Sequence, residues 1–380
     1  MKRITIILIA SLLNISFACS QKENFPPIQE PDQELFKLEK VAEGIDIPWG
    51  LTFTSNDNFL VTDKKGILYH VENGEKFVVT GVPEIVFSRQ GGLLDVAVDS
   101  NFDENQRIYI TASITSSESG SNTALYSAIL SNNNLSDLKL LYKASPDSNE
   151  ERHFGGSLLV TDKYVFFTIG DRGNRDVNPQ DISLDGGKVY RLNLDGSIPD
   201  SNPFKNVENA KNAIWSYGHR NPQGIIKGLN KDEIWIHEHG PRGGDEINII
   251  QNPKVGDNPI DTRNYGWPKA TYGINYSGSE ITKIRRLEGI TDPYYYWTPS
   301  IAPSGMAYVD SDIYSGWKNS ILVGSLKFLY LERLEFDDNG IKKREKLFPG
   351  IGRVRDVNIS PDGYIFISVE AIGIFKVMPK

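Results

Sequence analysis

From position 36 onward, short apolar runs alternate with polar turns rich in Gly, Pro, Asn and Asp, and one two-strand unit returns six times. Each copy has a polar or glycine-rich entry, an apolar run, a turn, a second apolar run and a polar exit. The copies lie at 49–63, 90–110, 153–172, 217–246, 303–327 and 353–370. Apolar runs joined by turns such as Ser360, Pro361, Asp362 and Gly363 predict β-hairpins. Hairpins recurring every ~40 to 80 residues predict propeller blades with insertions. Runs at 66–71 and 187–192 supply further strands, and the last run, 372–377, is placed to pair with the N-terminal strand and close a ring. The expectation is an all-β, six-bladed β-propeller over 36–380, with no linker-like stretch inside it.

The start of the chain follows a different pattern. Lys2 and Arg3 precede a mostly apolar run at 4–13 that is too short to span a bilayer. Ser16, Phe17, Ala18, Cys19 and Ser20 then resemble a bacterial lipobox, with Ser16 where that motif usually carries Leu. Cys19 is the only cysteine in the chain, so no internal disulfide exists, and it stands where lipidation needs a thiol. The expected division is a lipoprotein signal peptide at 1–18, a lipidated tether at 19–35, polar and Pro-rich, and the propeller at 36–380. The protein is expected to be exported, anchored to a membrane by its lipid and facing the periplasm. An ordinary signal peptide would instead leave it secreted or periplasmic.

Composition narrows the function. Aromatics make up 11% and glycines number 34, which favours strands and turns over helices. The formal net charge of −8 argues against a nucleic-acid partner, since basic patches supply most of that affinity.

In a propeller, equivalent ends of the inner strands converge on one axial face. The entries carry Gln90, His153, Arg220, Asn221, Arg353 and Arg355, and the exits carry Asp171, Glu238, His239, Gly240, Pro241 and Lys327. Three arginines and a lysine around one pocket call for a polyanionic ligand, such as a planar molecule bearing several carboxylates. His153 and Asp171 leave the same hairpin, and a carboxylate behind an imidazole supports a general base. The carbonyls of Gly240 and Pro241 are free to face a cation, and oxygen ligands of this kind suit calcium rather than zinc. Glu246 and Tyr265 form either a second oxygen-rich site or a simple hydrogen-bonded pair. Trp267 and the aromatics at 294–297 either stack on a sugar or pack the blades.

These residues lie in RQGGLLDVAV (89–98), HFGG (153–156), GDRG (170–173), GKVYRLNLDGSIPDSNPF (187–204), YGHRNPQG (217–224), EHGPRGGDEIN (238–248), NYGWP (264–268), YYWTPSIAPSGM (295–306) and RVRDV (353–357). In this order the set resembles the soluble quinoprotein glucose/sorbosone dehydrogenases, in particular the aldose sugar dehydrogenase branch. The resemblance implies a six-bladed propeller that binds pyrroloquinoline quinone (PQQ) with Ca²⁺ and oxidises an aldose to a lactone. It implies His153 as general base, Asp171 as its orienting partner and Arg220 as the group that steadies charge on the reduced quinone. It also implies Gln90, Asn221, Lys327, Arg353 and Arg355 as cofactor contacts and Gly240 and Pro241 as calcium ligands. The electron acceptor and the preferred sugar are not named by any residue.

Two positions depart from the family pattern. Asp63, Lys64 and Lys65 replace the Glu-Arg pair often found after the first inner strand, and Ser157 follows HFGG where Arg is common. Neither removes a cofactor contact, but both put the shape of the sugar pocket in doubt. Two other functions fit an exported propeller: a non-catalytic carbohydrate- or protein-binding module, and a calcium-dependent lactonase-type hydrolase. The latter needs carboxylates around the axis and has no use for so many cations.

Overall fold

A computed structural model describes residues 25–31, 35–115, 119–230, 233–252, 258–338 and 340–380. Six antiparallel sheets, each with four sequence-consecutive strands or their circularly closed equivalent, surround an axis. The inner strands are Pro48–Phe53, Leu93–Val98, Leu158–Val160, Pro222–Lys227, Pro303–Val309 and Val354–Ile359, and each contacts the next around the ring. This is the six-bladed β-propeller expected from the repeats.

The second strand of each blade explains why the sequence reads as continuous apolar runs rather than as alternation. Phe59–Asp63, Ser320–Ser325 and Ile365–Val369 are buried along their whole length. They sit between neighbouring blades and have no solvent face, so every position is selected for burial. The outermost strands face water, as the mostly exposed pattern of Asn134–Lys143 shows.

The ring closes as the hydrophobic pattern predicts. Phe36–Ala42 pairs antiparallel with Gly373–Pro379, from Phe36 opposite Pro379 to Ala42 opposite Ile374. The first and last segments of the domain thus complete the sixth blade together.

The signal peptide and Cys19 lie outside the described residues. The described part of the expected tether is docked rather than free. Ile28–Gln29 adds a fifth strand to the fifth blade, parallel to Arg344 and Glu345. Phe25 packs edge-on to Tyr295 at 4.4 Å and to Tyr296 at 5.2 Å between ring centroids. Composition alone made this stretch a tether; a free sheet edge and an aromatic cleft give it a seat.

Candidate active site

The inner-strand entries border a cavity of about 840 Å³ at one end of the axis. A second cavity of about 770 Å³ lies at the opposite end, around Val98, Val160 and Ser360, and holds none of the candidate groups. The chemistry gathers at the first.

His153 enters the site on a tight turn with φ of 57°. Its backbone N–H donates to Gln90 Oε1 at 2.7 Å, and its Nδ1 lies 2.6 Å from Asp171 Oδ1. Gly155, next in that turn, has φ of 64°, and a Cβ there would meet backbone of the partner strand at Thr168 and Ile169. The glycines let the loop lie flat on the hairpin that carries Asp171.

Asp171 is held from three sides. The Gly173 amide donates to Oδ1 at 2.8 Å, and the Trp267 indole N–H donates to Oδ2 at 2.8 Å. Burial pushes the Asp171 pKa up, but the His153 hydrogen bond and charge and the nearby Arg220 outweigh it and hold the carboxyl below its ordinary range. An ionised Asp171 accepts the hydrogen bond of Nδ1–H, which leaves Nε2 of His153 as the lone-pair nitrogen. Nε2 has no protein hydrogen bond among the described residues. Burial first, then the positive charge of Arg220, lower the His153 pKa, so the ring is neutral near pH 7.

Arg220 is buried beside this pair. Its Nη1 donates to the His239 carbonyl at 2.9 Å, and its guanidinium lies 5.4 Å from the Trp267 ring centre. His153, Asp171 and Arg220 are therefore brought together, as the repeat argument expected. Of the two readings left open for Trp267, packing agrees with the structure: the ring is buried and its indole N–H is spent on Asp171. The aromatics at 294–297 also miss the cavity. Tyr295 and Trp297 are buried, and Tyr294 packs on Trp235. The aromatics that do line the cavity are Trp49, at the entry of the first repeat, and Tyr276, 73% exposed, which no pattern singled out.

Six cations and no carboxylate line the cavity: Lys64, Arg89, Arg242, Lys327, Arg353 and Arg355. Three of them, Lys64, Arg89 and Arg242, are not among the entry and exit residues named from the repeats. One part of that argument needs correction, because Glu370 stands behind the arginines and relieves some of their repulsion. It accepts from Arg353 Nε at 2.9 Å and Arg355 Nε at 2.7 Å. The excess of positive charge remains large. Burial, then Arg355, lower the Lys64 pKa to about 8. Gln90 and Asn221 add oriented donors. Their side-chain oxygens are occupied by His153 N and Gly155 N, the latter at 3.1 Å, so their –NH₂ groups are the ends left for a ligand.

The cation positions divide into two places. Pro241 lines the cavity, and among the described residues neither its carbonyl nor that of Gly240 accepts a protein hydrogen bond. Gly240 N–H donates to Asp245 Oδ1 at 2.8 Å, and a Cβ on Gly240 would collide with Gly243 and Gly244. Glu246 lies apart from this turn, in a buried cluster with Glu238. Asn248 Nδ2 donates to Glu238 at 2.9 Å and to Glu246 at 3.3 Å, while its buried Oδ1 has no protein partner. Burial and the charge of Glu238 push the Glu246 pKa well up. The Tyr265 hydroxyl donates to the Ile249 carbonyl at 2.8 Å, so the simple Glu246–Tyr265 hydrogen bond is not made. Among the described residues no three His, Cys, Asp or Glu side chains are placed to hold a metal ion by themselves, so a cation here needs carbonyl or amide oxygens as well. Free carbonyls, crowded carboxylates and an orphaned amide oxygen all fit a hard cation.

Three comparisons bear on this geometry. The profile of the glucose/sorbosone dehydrogenase family matches residues 45–374. Aldose sugar dehydrogenase YliI of Escherichia coli is 36% identical over 90% of this chain and 93% of its own length. Quinoprotein glucose dehydrogenase B of Acinetobacter calcoaceticus is 28% identical over 87% of this chain and 84% of its own. The crystal structure of the soluble Escherichia coli aldose sugar dehydrogenase in its apo-form superposes with a TM-score of 0.84 at 34% identity, covering 91% of this chain and all of that one.

Proposed function

We propose that this chain, which belongs to the glucose/sorbosone dehydrogenase family, is a PQQ- and calcium-dependent aldose dehydrogenase that oxidises the anomeric hydroxyl to a lactone. One observation carries the reading: a cavity lined by six cations and no carboxylate, with a carboxylate-backed histidine joined through its amide to Gln90 of the lining. The names of the relatives, aldose sugar dehydrogenase and quinoprotein glucose dehydrogenase, support it.

The residues divide the work. Lys327, Arg353 and Arg355 pair with the cofactor's carboxylates, and the free amide groups of Gln90 and Asn221 donate to its polar edge. The carbonyls of Gly240 and Pro241 would hold Ca²⁺ at the cavity wall, and Glu246, with the orphaned Asn248 oxygen beside it, would hold a second cation. Bound there, PQQ would supply the two-electron acceptor for the hydride at C1 of the sugar. His153 Nε2 takes the proton of the anomeric hydroxyl, while Asp171 keeps the ring in the required tautomer and stabilises the imidazolium. Arg220 offsets the negative charge that builds beside it. The C1–H and O–H bonds break, a C1=O bond forms, and the sugar leaves as its lactone. The charge balance of the cavity speaks against a lactonase-type hydrolase, which would need carboxylates there. We place the protein at a membrane through lipidation of Cys19.

The direct test of the cavity is equilibrium binding of PQQ to the cofactor-free protein with and without Ca²⁺. Arg353→Ala and Lys327→Ala should each weaken uptake at least ~10-fold, the usual cost of a lost charge-assisted contact. Unchanged uptake in both would remove their assigned role.

A further inference from the structure

The fate of the electrons is the open part of the chemistry, and a cavity outside the active site bears on it. Phe25, Tyr295, Tyr296, Trp297, Ile301 and Phe328 line a space of about 650 Å³ between the fourth and fifth blades. Ile28 and Phe328 leave 37% and 41% of their surfaces exposed at its edge. The polar groups behind these rings are already paired. Trp297 Nε1 and the Tyr330 hydroxyl donate to Glu332 Oε2 at 3.2 and 3.1 Å, and Arg344 Nε donates to Glu332 Oε1 at 2.7 Å. An occupant is therefore met by aromatic and aliphatic faces, with Arg344 and Lys346 as the cations in the lining.

This cavity backs directly onto the cationic one. The two share the segments 298–302 and 326–329 as a wall. Thr298, Pro299, Ile301 and Phe328 face the apolar side, while Ser300, Ala302, Lys327 and Leu329 face the cationic side. The two segments of the wall are tied by Lys327 N to Ile301 O and Leu326 N to Ala302 O, both at 3.1 Å. Size and lining suit a planar apolar ring, since drug-sized ligands fill pockets of roughly 300–1,000 Å³.

The N-terminal segment says where this cavity faces. Phe25 is part of its lining, and the lipid attachment proposed at Cys19 lies six residues upstream. Six residues reach at most about 20 Å when fully extended. A lipid at Cys19 therefore holds the apolar cavity against the bilayer surface, within reach of membrane-soluble molecules.

We propose that this cavity binds an isoprenoid quinone of the membrane, which accepts the electrons taken from the sugar across the shared wall. Each sugar oxidised delivers two electrons and two protons. Both C=O groups of the acceptor become C–OH, and the site returns to its oxidised form. The source of the electrons rests on the dehydrogenase reading; binding of the quinone does not.

The test uses the full-length protein in detergent, free of cofactor, titrated with ubiquinone-1 while tryptophan fluorescence is followed and the heat of binding is measured. Saturable quenching and heat are expected, and Ile28→Asp and Phe328→Asp should each weaken binding at least tenfold. No saturable binding, or binding that neither variant changes, overturns the proposal. A second arm loads the protein with PQQ, Ca²⁺ and an aldose and compares turnover with ubiquinone-1 against turnover with a phenazine dye. Ile28→Asp should lose at least tenfold with the quinone and keep its dye rate, which also reports an intact fold. Equal loss with both acceptors overturns the proposal. Absence of dye turnover in the unaltered protein would instead count against the dehydrogenase reading, and the binding arm would still decide the cavity.

Discussion

At the scale of single residues, the account rests on His153 being a neutral base with one free nitrogen. His153→Gln keeps the ring's approximate size and polarity but cannot take a proton in this role. The rate of sugar oxidation should fall by about 10²–10⁴-fold with cofactor uptake unchanged. The pH profile has a defined sign. Burial and Arg220 lower the His153 pKa from 6.5, so the base stays unprotonated to a lower pH than an ordinary histidine. The acid limb of kcat/KM should therefore lie below pH ~6.5. Arg220→Gln removes one cause of that depression and should move the limb upward, in addition to slowing turnover. Trp267→Phe removes only the indole donor to Asp171, so kcat should fall about tenfold with KM for the sugar little changed. A fall in binding alone would return Trp267 to the sugar pocket. The His153–Asp171 pair was legible because both residues leave one hairpin, at its entry and its exit. The Trp267 bond was not, because it joins residues 96 apart and an indole in a motif reads equally well as packing or stacking. Glu370 was visible as an exit residue, but its position between two arginines depends on the approach of two strands, which no spacing encodes.

At the scale of elements, one buried carboxylate fixes the turn that carries Gly240 and Pro241, the calcium ligands proposed above. Asp245 accepts from Gly240 N at 2.8 Å, Ser300 Oγ at 2.7 Å, Ile301 N at 2.8 Å and Ala302 N at 2.9 Å. It binds the 239–244 turn to the segment that forms the wall between the two cavities. Asp245→Asn turns an –NH₂ toward donors that expect an oxygen and should cost about 2–4 kcal/mol. Denaturant unfolding checks the loss of stability, and calcium-dependent PQQ uptake checks the displacement of the turn. Normal stability with normal uptake would show that the turn holds itself. The hairpins themselves could be read from the chain, because second strands buried on both faces leave continuous apolar runs such as 365–369. The seat of the N-terminal segment could not. It depends on Phe25 meeting Tyr295 and Tyr296 some 270 residues away, and a Pro-rich polar stretch looks the same whether docked or free.

At the scale of the whole molecule, the propeller concentrates opposites. A chain with net charge −8 gathers six cations on one axial cavity, and the repeat makes this possible because six strand ends, spread through the chain, reach the same face. The ring is held shut by pairing of Phe36–Ala42 with Gly373–Pro379, so the geometry of the site depends on both ends of the domain. The central claim is that this cavity carries out a two-electron oxidation of a sugar through a bound quinone cofactor. The measurement that meets it most directly uses protein lacking residues 1–19, loaded with PQQ and Ca²⁺ and mixed with glucose or another aldose, while the cofactor's absorption is followed without an added acceptor. The account predicts conversion to the reduced spectrum within a single turnover, and no conversion in His153→Gln although it binds the cofactor. A loaded protein whose spectrum stays oxidised with every aldose offered, or a His153→Gln variant that reduces the cofactor as fast as the unaltered protein, would contradict it.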